Sequence, residues 1–176
     1  MKPLLAISLI LLLTACAPYT KDIKVKTEVG HNANINDYKS YIWLNNITAL
    51  NDPSGKWQPP GLDIAGEIKL LIDRELTNRG IYLNTIDPEL AVAFQLGANM
   101  QALRLKTDPK SKLAVLANVP DAALVVFLID TTTQSIIWVG RADAELQQDI
   151  DDELVRKRIA YAIAEMFKKL NKKSLF

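Results

Sequence analysis

Residues 122–130, AALVVFLID, are apolar at nearly every position and predict the centre of the fold. A strand that is apolar on both faces is typically covered on both and lies inside a sheet rather than at its edge. The Thr-rich residues 131–134 predict a turn, and residues 135–146 then alternate apolar and polar side chains at the period of a strand. Ile136 and Trp138 are expected to share one face of this strand. We therefore predict a β-hairpin whose first strand is central and covered.

Four segments upstream of the hairpin also have strand character: residues 23–29, 38–44, 81–83 and 90–96. The first alternates apolar and charged residues, as a half-buried or edge strand does, and the others are rich in aromatic, branched and other apolar residues. Residues 45–61 contain Asn, Asp, Gly and three prolines, which predicts a long loop. Residues 104–121 mix a polar, Pro-containing part with a short apolar part, and no secondary structure is assigned to them.

Two segments have the 3.6-residue period of amphipathic helices. In residues 62–79, six apolar side chains follow helical spacing, two prolines precede the start and Gly80 stands where the helix should end. In residues 152–170, acidic side chains lie at the positive end of the helix dipole and lysines at its negative end. The order of elements predicts a single α+β domain over residues 23–176. In this domain a mostly antiparallel β-sheet has two long helices packed on one face.

The N-terminus has the layout of a bacterial secretory signal. Lys2 precedes a ten-residue apolar run, which is too short for a permanent membrane span because spanning takes about 20 apolar residues. The run ends in Leu-Thr-Ala-Cys at residues 13–16, which resembles the lipobox of lipoprotein signal peptides. This resemblance implies cleavage before Cys16, so that residues 1–15 are a signal peptide and residues 16–22 a lipidated tether.

Cys16 is the one site residue that the sequence assigns. By the same resemblance, its sulfur carries a diacylglycerol thioether and its amino group an acyl chain such as palmitate. Each buried methylene contributes about 0.8 kcal/mol, so the chains hold the body on a membrane without a transmembrane helix. The plain alternative for this only cysteine of the chain is a buried free thiol. Ala17, rather than Asp, after the cysteine resembles lipoproteins sorted to the outer membrane, which predicts a body facing the periplasm.

Several core and turn segments together resemble DUF4136, a family of bacterial envelope lipoproteins with a domain of unknown function. The matching pieces are Tyr38–Leu44, Leu62–Gly80, Asp87–Val92, Val126–Asp130 and Ile137–Ala142. The resemblance covers most of residues 37–170 and implies the fold and an envelope location. None of the matching pieces is a catalytic motif. Members often carry a glycine- and aromatic-rich insertion between positions 104 and 121, and this chain has neither feature there.

Composition excludes several classes of function. The chain is 49% hydrophobic and 23% charged, as ordinary globular proteins are. The signal peptide contains one lysine and no acidic residue, so the body has 20 basic and 20 acidic side chains. A neutral body has no general attraction to nucleic acid, and the seven glycines are too scattered for a phosphate loop. We therefore expect no nucleic-acid partner and no cofactor.

The sequence also predicts no catalytic residue and no metal site. The single histidine, His31, stands in a polar, Asn-rich segment. A catalytic triad therefore lacks its histidine base, and a zinc site lacks enough ligands. An acidic run precedes and begins the second helix, and it consists of Asp149, Asp151, Asp152 and Glu153. It shares only its negative charge with a calcium site. It lacks the alternation and glycine of a calcium loop, so helix capping is the better interpretation.

Two further groups have both a functional and a structural interpretation. Asp63 and Glu67 lie four residues apart on one helix face, as the carboxylates of a glycoside hydrolase would, or as part of a solvated face. Trp43 and Trp138 lie in predicted strands and are expected to pack in the sheet, whereas Trp57, in the loop, is expected to be exposed.

The sequence therefore favours a non-enzymatic, lipid-anchored domain that binds an unknown envelope protein through a sheet edge or loops. The alternative is a carboxylate-dependent hydrolase acting on cell-wall or sugar substrates, which requires a deep pocket with two carboxylates. A third interpretation, an accessory subunit of a transport system, requires an apolar groove between sheet and helices. An exposed apolar or aromatic surface would favour binding over catalysis.

Overall fold

The computed structural model describes residues 18–30, 33–44, 49–51, 61–99, 103–107, 114–118, 121–146 and 151–170. Its strands are β1 (Lys24–Val29), β2 (Ser40–Trp43), β3 (Ala49–Asn51), β4 (Tyr82–Leu83), β5 (Leu90–Asn99), β6 (Leu103–Thr107), β7 (Ala114–Asn118), β8 (Asp121–Asp130) and β9 (Ile136–Glu145). Its helices are α1 (Ile64–Thr77) and α2 (Asp152–Lys168).

Seven strands form one mixed sheet. Its order is β1-β9-β8-β5-β2-β4, and β3 also pairs with β5. The long ladders between β1, β9, β8 and β5 are antiparallel, whereas the short strands β2, β3 and β4 make parallel pairs. β6 and β7 form a separate antiparallel pair. The prediction of an α+β domain with a mostly antiparallel sheet is confirmed.

The predicted hairpin is β8 and β9, and β8 lies between β9 and β5 as a central strand. From Leu124 to Leu128, every second side chain of β8 is buried, on the face that carries the helices, and the others are half-buried. Ile136 differs from the prediction because it is 51% exposed and pairs with Ile129 across a register shift. The shift adds one residue to β9, and a one-residue slip reverses the face of a side chain, so Ile136 and Trp138 do not share a face.

Both helices pack on the same face of the sheet, as predicted. α1 begins after its cap Asp63 and ends before Gly80, whose φ of 75° is the left-handed conformation in which helices commonly stop. The two helices run parallel, because Arg156 lies 3.6 Å from Glu67 near their N-terminal ends and Arg79 donates to the Phe167 carbonyl at their C-terminal ends. The buried helix side chains are Ile68, Leu71, Ile72 and Leu76 in α1 and Arg158, Ala162, Ile163, Met166 and Phe167 in α2.

Two segments hold strands that the sequence did not predict. The loop expected over residues 45–61 contains β3, which pairs in parallel with residues 95–97 of β5. Residues 104–121, left without assignment, contain most of the β6–β7 pair. A three-residue strand is too short for a period to show in the sequence, so its pairing depends on the neighbouring strand.

The strands give the sheet two ends. At one end, named the anchor end after the predicted tether that leads into it, β1 begins and β9 ends, and the Glu145 N–H donates to Asp22. At the distal end lie the turn that precedes β5, residues 84–89, and the hairpin turn, residues 131–134. The ten residues of β8 separate the two ends by about 30 Å, which is nine steps of roughly 3.3 Å.

Candidate binding surface

The two carboxylates considered as a catalytic pair have separate structural partners. Asp63 is exposed and accepts a hydrogen bond from the Gly66 N–H at 2.9 Å, as the N-cap of α1. Glu67 is half-buried and faces Arg156 of α2 at 3.6 Å. Helix capping and an interhelix ion pair therefore account for both side chains.

The acidic run is used for capping where the structure describes it. Asp151 is the N-cap of α2 and accepts from the Leu154 N–H at 2.7 Å, as the capping interpretation predicts. Glu153 pairs with Lys157 at 2.6 Å along the same helix. Within the described ranges, no group of three His, Cys, Asp or Glu side chains could hold a metal ion. Cys16, His31, Trp57 and Asp149 lie outside those ranges.

The described tryptophans pack in the sheet, as predicted. Trp138 is buried, and its ring centroid lies 5.3 Å from that of Phe167 in α2. Trp43 is half-buried and meets the rings of Tyr41 and Phe94 edge to face. These contacts place both indoles in the layer between sheet and helices.

A carboxylate in α1 binds two aromatic side chains of β2. Asp73 Oδ1 accepts from the Tyr41 hydroxyl at 2.5 Å and from Trp43 Nε1 at 2.9 Å, and Lys69 Nζ lies 5.6 Å from the Trp43 ring centroid. Burial, and then the bond to Asp73, raise the pKa of Tyr41 above its ordinary value, so the phenol remains a donor. The cluster links α1 to the sheet. No local sequence pattern predicts it.

The anchor end is organised by Arg158, a residue of α2 that is only 8% exposed. Its guanidinium donates to both oxygens of Asp22, at 2.9 and 2.6 Å, to the Glu145 carbonyl at 3.0 Å and to the Tyr19 carbonyl. Burial by itself would raise the pKa of Asp22, but the bonds and charge of Arg158 and the Glu145 N–H outweigh it and hold that pKa below 3.8.

This cluster changes the boundary of the expected tether. The sequence assigns residues 16–22 to it, yet Pro18–Thr20 forms a short 3-10 turn, and Arg158 binds both Tyr19 and Asp22. The segment from Pro18 onward is therefore fastened to the domain. No sequence pattern indicates this role of Arg158, because Asp22 and Tyr19 stand 136 and 139 positions away, where no helical or strand period connects them.

The distal end is held by polar side chains between loops. The Tyr38 hydroxyl donates to Asp130 at 2.8 Å, and Thr131 Oγ1 donates to the Pro88 carbonyl at 2.6 Å. Burial, then the bond to Asp130, raise the pKa of Tyr38 to about 12. The Thr133 N–H, then the Tyr38 hydroxyl, lower the pKa of Asp130. These bonds join the hairpin turn to the segments that precede β2 and β5.

An exposed apolar surface lies beside this network, at the edge strand β4. We use the name distal apolar surface for Tyr82 and Leu83, which point to opposite faces of β4, together with Ile86 of the turn that follows. The first two are each 59% exposed, and Ile86 is 94% exposed. Asn84 fixes the turn, because its Oδ1 accepts from the N–H groups of Ile86, at 3.0 Å, and Asp87, at 3.3 Å. The Asn84 amide also donates to the Asp87 carbonyl at 3.2 Å.

Among the described strands, only β2 pairs with β4, which leaves the other side of β4 as a sheet edge. The Tyr82 N–H donates to Lys39 O and the Asn84 N–H to Tyr41 O, so these residues face β2 and the Leu83 N–H and C=O point away from it. An apolar surface beside an outward-facing strand backbone is a typical site for binding another polypeptide. The turn before β5 was predicted, but nothing in its sequence indicates how far Ile86 projects.

By these features the protein is a two-layer α+β domain. Both helices lie on one face of a mixed sheet, and an exposed apolar turn lies at one end. The family model for DUF4136, a domain of unknown function, matches residues 25–170. The chain belongs to this family, which confirms the resemblance found in the sequence.

Two solved structures share the fold. A DUF4136 family protein from Bacteroides thetaiotaomicron is 10% identical, with a TM-score of 0.53, over 86% of this chain and 98% of that one. A PDZ domain protein from Parabacteroides distasonis is 12% identical, with a TM-score of 0.54, over 87% of this chain. The matched part is 37% of that second protein's length. At such identities the likeness concerns the fold alone.

Among proteins of curated function, none is significantly similar to the chain. Neither α1 nor α2, the helices of the described part, is long and apolar enough to cross a membrane.

Proposed function

We propose that this protein is a lipoprotein of the bacterial envelope that binds an envelope protein rather than catalysing a reaction. In this proposal Cys16 carries the lipid anchor, the outer membrane holds it and the domain faces the periplasm. The lipobox-like residues 13–16 and the membership in DUF4136 support the anchor. Only Ala17 separates Cys16 from the fastened segment that begins at Pro18, so the anchor end of the sheet would lie close to the lipid.

The observation that carries the binding role is Ile86, which projects 94% exposed from a turn that is already ordered. Full burial of such a side chain contributes roughly 1.5–3 kcal/mol. Because Asn84 fixes the turn before binding, a partner gains this energy without ordering a loop. The turn is at the opposite end of the sheet from residues 18–22, so the segment that follows the anchor does not cover it.

The chemistry of the surface indicates what the partner presents. Leu83 offers one outward backbone N–H and C=O, which an extended segment can pair with, and an apolar side chain of that segment can cover Ile86. We infer a periplasmic protein surface with an extended apolar segment, placed along β4 and over Ile86.

The test is photo-crosslinking in living cells, with the reactive amino acid at Ile86 of the full lipoprotein. Leu70 is the matched control position, because it is a 64% exposed apolar residue on the solvent side of α1. A discrete adduct is expected with the probe at Ile86 and not at Leu70. No adduct at Ile86, or the same adduct from both positions, would contradict this surface.

The anchor is tested separately with Cys16→Ala. This variant is expected to accumulate as an unprocessed precursor, because the cleavage site and the lipid attachment point are both lost. Processing is read from the mass of the chain, and attachment from its partition with membranes. A variant that is cleaved and still partitions like the wild type would overturn the anchor.

A further inference from the structure

The second edge of the sheet, β1, differs from β4 in being a full six-residue strand without proline. It pairs with β9 along its whole length, so its backbone is already extended and ordered. The Gly30 N–H donates to Ile137 O at 2.8 Å, which extends the ladder by one pair. The ladder fixes which residues of β1 face away from β9.

The backbone N–H and C=O groups that point away from β9 belong to Val25, Thr27 and Val29. In an antiparallel ladder, hydrogen-bonded pairs alternate with pairs that do not bond to each other, and Gly30 opposite Ile137 is a bonded pair. Glu28, Lys26 and Lys24 therefore bond to β9, and the residues between them do not. Lys169 agrees with this assignment, because its Nζ donates to Val25 O at 2.7 Å from outside the sheet.

The sequence of this edge, KVKTEV, is complementary to itself. When two copies lie antiparallel about Thr27, Lys26 of each copy is opposite Glu28 of the other, and Val25 is opposite Val29. Val29 is 39% exposed, and both charged side chains are exposed. A register centred on Glu28 would oppose the two Glu28 carboxylates. A register centred on Lys26 would bring Lys24 opposite Glu28 twice but would also place the two Lys26 ammonium groups face to face, so only the Thr27 register has two opposite-charge pairs and no like-charge pair. Charge thus selects the Thr27 register.

We propose that β1 forms an interface with a second copy of this chain, by antiparallel pairing about Thr27. The bonded pairs are Thr27 with Thr27 of the second copy and Val25 with Val29, so the sheet continues across the two molecules. Lys169 must leave Val25 O, which then accepts from Val29 of the second copy. The interface is at the opposite edge from β4 and does not depend on the proposed function.

The pairing also determines how two lipid-anchored copies would lie on a membrane. Antiparallel pairing sends the anchor ends of the two copies in opposite directions along the strands. Two copies on one membrane therefore lie with their strands along its surface, and the β4 edges form the two outer edges of the joined sheet.

The test is disulfide formation, under an added chemical oxidant, by the full chain carrying Thr27→Cys. Opposed residues of a bonded pair have Cα atoms about 5.5 Å apart, within the range of roughly 4.4–6.8 Å that a disulfide spans. Val25→Cys is the matched control, since its half-buried side chain lies on the same face of β1 as Thr27 and its backbone groups also turn away from β9. In the proposed register its two copies are about 13 Å apart along the strand. The wild type reports any dimer formed through Cys16.

We expect a covalent dimer with Thr27→Cys and little with Val25→Cys. Adding Lys26→Glu to Thr27→Cys is expected to lower the dimer fraction several-fold, because carboxylates of the two copies then oppose each other. Adding Glu28→Lys to that chain is expected to restore it. Both substituted side chains are exposed, so the fold is unaffected. Equal dimer yields at Thr27→Cys and Val25→Cys, or no response to the charge exchange, would overturn the interface.

Discussion

The two ends of the sheet use hydrogen bonds for opposite purposes. At the anchor end, Arg158 is 8% exposed and binds a carboxylate and two backbone carbonyls, so the bonds are hidden and the chain is immobilised. At the distal end, Asn84 makes its bonds in solvent, and they present Ile86, which is 94% exposed. The Arg158 network buries charged groups, whereas the Asn84 network holds an apolar side chain in solvent.

Folding stability and binding are therefore expected to depend on different ends of the sheet. A buried charge that loses its partner cannot return to water, so changes at the anchor end should cost much folding free energy. A solvated amide that loses its partners returns to water at little cost, so changes at the distal end should cost binding instead.

Arg158→Met is expected to have the largest effect on folding. The substitution leaves the Asp22 carboxylate and the carbonyls of Tyr19 and Glu145 without their common donor. Removal of one member of a buried ion pair costs about 3–5 kcal/mol. Chemical denaturation of the mature protein measures this loss as a lower free energy of unfolding.

Arg141→Met is the matched control for this change. Arg141 also pairs with a carboxylate, Asp143, but its side chain is 52% exposed, and surface pairs contribute about 1 kcal/mol or less. Equal losses in the two variants would show that burial does not decide the contribution of the Arg158 cluster.

Periodicity explains which parts of the fold the sequence predicted. The helices and the β8–β9 hairpin have apolar spacings of 3.6 and 2, which are local and readable. Ile136 was assigned to the wrong face because a register shift has no local signal, and β3 was missed because three residues carry no period. In the candidate binding surface, the turn was predicted from Asp87-Pro88. The exposure of Ile86 was not predicted, because it depends on hydrogen bonds of Asn84 that form only in the folded chain.

The stability of the anchor end should depend on pH through Asp22. Its pKa in the folded protein is held below 3.8, so the carboxylate stabilises the fold fully above that value. The stabilisation is lost as the pH falls through the folded-state pKa, because protonation then occurs in the native protein too. At neutral pH, Asp22→Asn is expected to be about 2 kcal/mol less stable than the wild type, since it weakens bonds to a charged group.

The measurement is the free energy of unfolding of both proteins from neutral pH to below pH 3.8. The difference between wild type and Asp22→Asn should shrink at the acid end. Asp152→Asn, an exposed change of the same charge in the first turn of α2, is expected to differ less from wild type at neutral pH. A difference for Asp22→Asn that stays constant across this range would show that the carboxylate charge is not what stabilises the cluster.

Asn84→Ala should have the smallest effect on folding and the clearest effect on binding. It removes three exposed hydrogen bonds, so the expected loss of stability is about 1 kcal/mol. The turn then no longer holds Ile86 in one position, and the crosslinked adduct from the probe at Ile86 should decrease several-fold. Thr85→Ala, an exposed change in the same turn, should leave the adduct unchanged. If the two variants give the same adduct yield, order in this turn is not what presents Ile86 to a partner.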